Sequence, residues 1–399
     1  MNKKLIRILQ HAQANVPYYA HIFEGLNFNE NFSADQFKKL PVLERSILFR
    51  EKEKFIAGNI DKSKLLTETT SGSTGNFLTY YRTLAEHILG GKILLNLRKQ
   101  CCPDIDKIKG VIFHPGETFE DKNYFYPSLL DFSIAAIEGF LEYISSVDAV
   151  WISSPCSALF KFAQFIKKTD KPYNIKSVKF IELNAEKVID YQRKFIQEVF
   201  QCPVRNYYGC REVWGIAYEC KENKLHVIGN NVFLETINDK ENMASGTQKG
   251  ELLITGYNNY AMPFIRYRTG DIGRLTKSDC PCGNTDDILE ELDGRINDFI
   301  YVDSNKSIHS SFIELVMSIL YSKGENPLLY QLVQHTPYKF TLKLCFDVIK
   351  NKKFVEGVCR SWFKGFLGSK FKLKIKYVRE IARNSRTGKF QYFVSELNQ

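Results

Sequence analysis

No apolar run in this chain reaches the roughly 18 residues that a membrane-crossing helix needs. The basic N-terminal residues Lys3, Lys4 and Arg7 are followed by neither the apolar core nor the small-residue cleavage site of an export signal. These absences point to the cytoplasm and away from membrane insertion. Zinc-finger, helix-turn-helix and ribonucleoprotein signatures are also missing, which argues against a nucleic-acid partner although the formal net charge is +10. Internal repeats and low-complexity tracts are absent, which argues against solenoid architectures. Without an export signal, the ten cysteines read as reduced thiols or metal ligands, not as a disulfide framework.

What is present describes a folded α/β protein. At 399 residues the chain suits one large domain and one smaller one. Its 44% hydrophobic and 25% charged residues are ordinary for a globular protein. The first part reads as short helices, with Ser33-Ala34-Asp35-Gln36 as a helix start and Pro41 as a break. From about Thr67 to Glu290, apolar strand-like runs such as Gly110 to Phe113, Ala149 to Ile152 and Ser177 to Leu183 alternate with amphipathic stretches. One of these, Ser157 to Lys168, puts Leu159, Phe160, Ala163 and Ile166 on one helical face. Alternation of this kind predicts sheets layered by helices, and Glu251 to Gly256 adds β structure. Beyond Gly294 to Asp298 come a helix near Ser311 to Ser322, strands over Lys339 to Val348 and Phe371 to Val378, and a helix between them. The expected division is therefore 1–296, an α/β domain, and 297–399, a small α+β domain.

Each polar motif has a plain reading beside a chemical one. Thr67 to Asn76 crowds hydroxyls and glycines, with Thr70, Ser71, Gly72, Ser73, Thr74 and Gly75 able to form an anion nest. It lacks the Gly-Lys-Ser/Thr ending of a Walker loop, and taken alone it reads equally as a Ser/Gly surface loop. Asn206-Tyr207-Tyr208-Gly209-Cys210-Arg211-Glu212 reads as a loop at a strand end, offering a ring to stack on a base and a carboxylate for magnesium, or as an ordinary Tyr-Gly turn. In Arg266-Tyr267-Arg268-Thr269-Gly270-Asp271 the acid can meet vicinal hydroxyls and the arginines can offset phosphate charge. Otherwise it is a hairpin bend with outward arginines. Arg386-Thr387-Gly388-Lys389, taken alone, reads as a solvated tail.

In this order the segments resemble the adenylate-forming superfamily of acyl-CoA synthetases, adenylation domains and luciferases. Asn15 to Tyr19, Leu40-Pro41-Val42, Asn184-Ala185-Glu186 and Tyr208 to Val213 resemble the phenylacetate-CoA ligase group, and within it the CapK-type capsule-biosynthesis branch. The resemblance implies ATP and Mg²⁺ chemistry on a carboxylic acid, giving an acyl-adenylate that passes to coenzyme A. Transfer to an amine for a cell-surface polysaccharide, or a binding protein without chemistry, are the other readings. By position, residues 70 to 75 would hold pyrophosphate, while Asn184, Ala185, Glu186 and Tyr207 or Tyr208 would frame adenine, with Gly209 also among the nucleotide-binding residues. Glu212 would hold Mg²⁺, Asp271 the ribose hydroxyls, and Arg295 the ribose or phosphate. Lys389 would meet the carboxylate and α-phosphate from a mobile C-terminal domain pivoting near Asn297. Three positions depart from the family pattern: Arg211 where a Thr usually precedes the acid, Asn76 for a frequent Lys, and Asn297 for an acidic hinge residue.

Cys220, His226, Cys280 and Cys282 form two ligand pairs suited to a closed Cys3His zinc site. Some proteins resembling the CapK-type branch carry a structural zinc at such positions. The substrate acid is not legible. Phe113, Phe119, Tyr124, Phe125 and Tyr126 would suit an aromatic or aliphatic acid, or else are plain core.

Overall fold

The computed structural model describes the chain apart from residues 1, 71–77, 115, 132, 238–248, 278–279, 296–298, 304–305, 311, 385–389 and 398–399. For 70, 293–295, 299, 301–303, 306–307 and 309 it describes the backbone alone. Two compact units result, Met1–Asp106 with Arg205–Leu292, and Lys107–Val204 with Asp293–Gln399. These units do not coincide with the expected division into 1–296 and 297–399, because residues 107–204 pack with 293–399.

In the first unit, short helices gather Leu5, Ile8, Phe23, Phe37 and Phe55 into a core shared with Ile216, Leu252, Ile254 and Phe264. The helix Ala34–Lys38 begins as its sequence requires, with Ser33 and Gln36 exchanging a capping box. The sheet runs in the order Val232–Ile237, Lys249–Gly256, Tyr267–Thr276, Ile288–Arg295, Leu225–Val227, Trp214–Glu219 and Val204–Cys210. A separate antiparallel hairpin, Leu66–Thr70 with Leu78–Arg82, flanks residues 71–77. Its second strand alternates buried and half-buried positions, and the helix Leu84–Cys101 follows it with Thr83 and Glu86 as capping box.

The second unit stacks the parallel strands Val178–Asn184, Val150–Pro155, Lys109–Ile112 and Tyr124–Tyr126. Burial is complete along Val150–Pro155 and nearly so along Val178–Asn184, as parallel strands covered on both faces require, and it falls off through Lys109–Ile112 to the half-buried Tyr124–Tyr126. Helices Ile134–Ser146, Cys156–Lys168 and Asp190–Phe200 supply the covering side chains. A four-stranded mixed sheet, Lys372–Val378, Lys339–Phe346, Pro327–Thr336 and Phe393–Ser395, packs with helices Phe312–Ser322 and Lys352–Leu367. Val111, Ile152, Phe160 and Ile181 share one continuous core with Phe312, Leu342, Phe363 and Phe393. The helices and strands expected beyond Gly294 are all present, as is a further central strand, Pro327–Thr336. Among the described residues no helix is long and apolar enough to cross a membrane.

Candidate active site

Tyr207, Tyr208 and Gly209 lie within the strand Val204–Cys210, not in a loop, and the chain turns only at Arg211. Gly209 is required there. A Cβ at that position would stand 2.2 Å from the Trp214 carbonyl oxygen. Thr269-Gly270-Asp271 is likewise not a hairpin bend. It is a bulge inside the strand Tyr267–Thr276, where pairing jumps from Leu253 opposite Arg268 to Glu251 opposite Ile272, with Gly270 at φ +77°. The Thr269 hydroxyl secures the bulge by donating to the Leu252 carbonyl at 2.9 Å and accepting from the Asp271 N–H at 3.1 Å.

These two segments grip each other reciprocally. Tyr208 donates its hydroxyl to Asp271 Oδ2 at 2.7 Å, and Tyr267 donates to Glu212 Oε1 at 3.0 Å. Each tyrosine stands four places before one acid and bonds the other. Glu212 is 4% exposed, with the Arg45 guanidinium 3.8 Å away. Burial first, and the adjoining carboxylates second, drive the hydroxyls of Tyr208 and Tyr267 far above the usual phenol range, so both remain donors. Burial and Glu212 also raise the Cys210 thiol, which leaves it a neutral neighbour.

The arginines of this motif are not available to phosphate. Arg266 is 5% exposed, bonds Glu235 Oε1 at 2.7 Å and donates to the carbonyls of Lys38 and Leu40. Arg268 bonds Glu44 at 2.8 Å and pairs with Glu251. They tie the strand to the N-terminal helices. A different arginine serves the hairpin that flanks residues 71–77: Arg82 pairs with Glu68 at 3.0 Å and donates to the Arg211 carbonyl at 2.6 Å. Arg211, which stands where the resembling family usually has a Thr, donates to the Thr69 carbonyl at 3.0 Å. The turn that carries Glu212 is thereby fastened to the strand entering the glycine-rich segment.

In the second unit Asn184 ends a parallel strand at its carboxyl edge, the usual ligand side of such sheets. Ala185 follows at φ +61°, a left-handed conformation that costs a non-glycine residue roughly 1–2 kcal/mol. Asn184 Nδ2 donates to Ser153 Oγ at 2.6 Å, and Ser153 donates to the buried Glu182 at 2.8 Å. Glu186 does not stand open. Ser157 donates to it through N–H at 3.2 Å and hydroxyl at 2.6 Å, and Arg383 reaches it at 3.2 Å. Phe113 is core against Phe140 and Phe162, while Phe119 stacks on Tyr126 at 4.3 Å and is half-exposed.

Cys220, His226, Cys280 and Cys282 converge in the first unit, with their ligand atoms all within 4.8 Å of one another. The Cys220 and Cys280 sulfurs are 3.8 Å apart, and Cys282 Sγ lies 3.4 Å from His226 Nε2. A tetrahedral ion with metal–sulfur bonds of about 2.3 Å requires an edge of about 3.8 Å, so the donor set fits. His226 Nδ1 meets the Asp286 carbonyl at 3.2 Å, the outer contact that leaves Nε2 for a metal.

Of the remaining expected residues, Ser71 to Gly75, Asn297 and Lys389 lie outside the described residues, and Thr70 and Arg295 are described by backbone alone. The Tyr-to-acid clasp was readable from one signal, the equal spacing of Tyr208 from Glu212 and of Tyr267 from Asp271. Arg82 and Arg383 gave none, because their partners are distant in sequence.

No family model matches the sequence. A phenylacetate-coenzyme A ligase of Thermus thermophilus is 28% identical over 160 residues, 39% of this chain and 35% of the relative. The match thus spans about a third of that relative's length. Protein CapK of Staphylococcus aureus is 21% identical over 332 residues, 75% of this chain and 68% of the relative. Among solved structures, a 2-hydroxyisobutyryl-CoA ligase in the postadenylation state with 2-HIB-AMP superimposes with a TM-score of 0.77 at 14% identity, over 99% of this chain and 88% of that one. The chain has the fold of the adenylate-forming ligases and is phenylacetate-CoA ligase-like in sequence.

Proposed function

We propose that the chain is an ATP-dependent acid ligase that forms an acyl-adenylate and passes the acyl group to coenzyme A. The observation that carries this reading is the clasp that fixes Glu212 and Asp271 through two buried tyrosine hydroxyls. An acid oriented by a neutral donor can face a cation or a hydroxyl. In this reading Glu212 holds Mg²⁺ and Asp271 accepts from the ribose hydroxyls. Thr70 to Gly75 would receive pyrophosphate, Asn184 to Glu186 and Tyr207 or Tyr208 would frame adenine, Gly209 would also contact the nucleotide, and Arg295 would meet the ribose or phosphate. The metal ion supplies charge cancellation on the phosphates.

The first half-reaction sets an anionic carboxylate against an anionic α-phosphate. A carboxylate oxygen forms the new bond to phosphorus as the bond to the β-phosphate oxygen breaks, and pyrophosphate leaves with the electron pair. Lys389 would neutralise the charge gathering on the phosphorus oxygens, a preorganised contact of the kind that contributes most to such steps. In the second half-reaction the thiol sulfur attacks the acyl carbon, its proton passes to solvent, and the carbon–oxygen bond to AMP breaks. Movement of residues 297–399 about Asn297 would separate the two steps. A cytoplasmic location belongs to the same reading.

Exchange of labelled pyrophosphate into ATP over a panel of carboxylic acids tests it, with Lys389→Ala expected to lower exchange at least 100-fold. No exchange with any acid would leave a binding protein. Mass spectrometry with coenzyme A or amines then identifies the acceptor, and an amide product would replace the thioester. The cysteine and histidine cluster is proposed as a structural Zn²⁺ site. Elemental analysis should find one zinc per chain, and Cys282→Ser should lose it and lower Tm by several degrees; a metal-free wild type refutes it.

A further inference from the structure

Glu186 was expected to frame adenine, a role that asks for a carboxylate with acceptor capacity to spare. Both its oxygens are instead occupied by the chain. Ser157 supplies an N–H and a hydroxyl to one, at 3.2 and 2.6 Å, while Arg383 at 3.2 Å and the Phe390 N–H at 3.0 Å converge on the other. Four donors match the roughly four acceptor positions of a carboxylate. Arg383 also donates to the Ser157 hydroxyl at 2.7 Å, closing a ring of three side chains. The side chains of Glu186 and Arg383 are 4% and 10% exposed, so each is the other's necessary counter-charge.

The ring joins two parts of the chain. Glu186 directly follows the left-handed Ala185, and its own N–H bonds the Asn184 carbonyl at 2.7 Å. Ala185 has no glycine freedom, so its strained turn must be held from outside. Arg383 and Phe390 come from the C-terminal stretch, where Ile381 and Phe390 are seated in a small core with Leu329 and Cys345. The guanidinium lies 5.8 Å from the centre of the Phe390 ring.

We propose that Arg383 is a positioning residue for the nucleotide loop, acting through Glu186 to hold the turn at Ala185, so that the loop's backbone and not the Glu186 carboxylate meets the nucleotide. This rests on the ATP chemistry proposed for the chain. The C-terminal stretch thereby completes a loop that its sequence position gives no reason to connect with it. Ser157 is the shared hinge of the ring, since its hydroxyl accepts from Arg383 while donating to Glu186.

The test is the Kd for MgATP by isothermal titration calorimetry, which needs no acid substrate, on wild type, Glu186→Gln, Arg383→Gln, Arg383→Lys and the double variant Glu186→Gln/Arg383→Gln. Both Gln single variants should weaken ATP binding about tenfold, the double variant no more than either, and Arg383→Lys should recover part of the loss. Hydrogen exchange of the peptides containing Ala185 and Phe390 should accelerate together in both variants. If Arg383→Gln binds ATP as wild type does while Glu186→Gln weakens it, Glu186 contacts adenine itself and the proposal is overturned. It is equally overturned if the two losses multiply, or if the variants lower Tm with ATP affinity and Ala185 exchange unchanged. A wild type that binds no ATP removes the adenylation reading instead, and joint acceleration of the two peptides still reports on the ring.

Discussion

Glu212 and Glu186 are nearly equally buried acids, and the chain treats them oppositely. Glu212 receives a neutral phenol from Tyr267 at 3.0 Å, with a guanidinium only at 3.8 Å. Glu186 receives a guanidinium, a hydroxyl and two backbone N–H groups. Burial alone therefore does not identify an acid that works on a ligand. What distinguishes the two is how closely the chain's own cation approaches the carboxylate, 3.2 Å for Arg383 on Glu186 and 3.8 Å for Arg45 on Glu212. A neutral donor fixes direction and leaves the charge to be cancelled by a ligand, whereas a close guanidinium cancels it at once.

The sharpest way to break this contrast is Glu212→Gln, which keeps the shape and removes the charge. Pyrophosphate exchange should fall by 10² to 10³-fold, or about 3–4 kcal/mol of transition-state stabilisation, with Tm held within a few degrees. A variant that exchanges at the wild-type rate would show that Glu212 is structural, like Glu186. Next in size is Tyr267→Phe, which withdraws one hydrogen bond to a charged group, worth about 1.5–3 kcal/mol. Exchange should drop by roughly ten- to a hundredfold and the Mg²⁺ concentration needed for half-maximal rate should rise. Tyr208→Phe should instead raise the KM for ATP, about tenfold, because it loosens Asp271. An identical profile for the two tyrosine variants would mean that the acids do not have separate duties. The smallest effect belongs to Arg211→Thr, which restores the commoner residue and loses one exposed bond to the Thr69 carbonyl. It should change exchange by about fivefold or less, because exposed single contacts are worth about 1 kcal/mol.

Much of the fold was legible because it follows from local rules. Ser33 and Gln36 exchange a cap across three residues, and the mostly apolar stretch Val178 to Leu183 reads as a strand, which it is. The sheet strand Pro327–Thr336 was not read, because its polar residues Gln331, Gln334 and His335 interrupt the alternation. Those side chains are absorbed by particular partners, such as Lys343 on Gln331 at 2.8 Å. At the site, the types of residue were legible and their partners were not. Arg266 and Arg268 looked like phosphate ligands because a sequence shows charge without showing Glu235, Glu44 and Glu251 beside it. The partner of Glu186 was hidden for the same reason, Arg383 being nearly two hundred residues away in the chain. The bulge at Thr269 to Asp271 also escaped, since Thr-Gly-Asp is compatible with any tight turn.

The exchanged tyrosines also bear on how such a chain can change over generations. Because Tyr208 serves the acid of the later segment and Tyr267 the acid of the earlier one, neither stretch is a self-sufficient cassette. Losing a phenol in one stretch disables a carboxylate in the other, and a graft of either stretch into a foreign scaffold would import an acid without its holder. The two stretches therefore work as one mechanical part, although Tyr208 and Asp271 stand 63 positions apart in the chain.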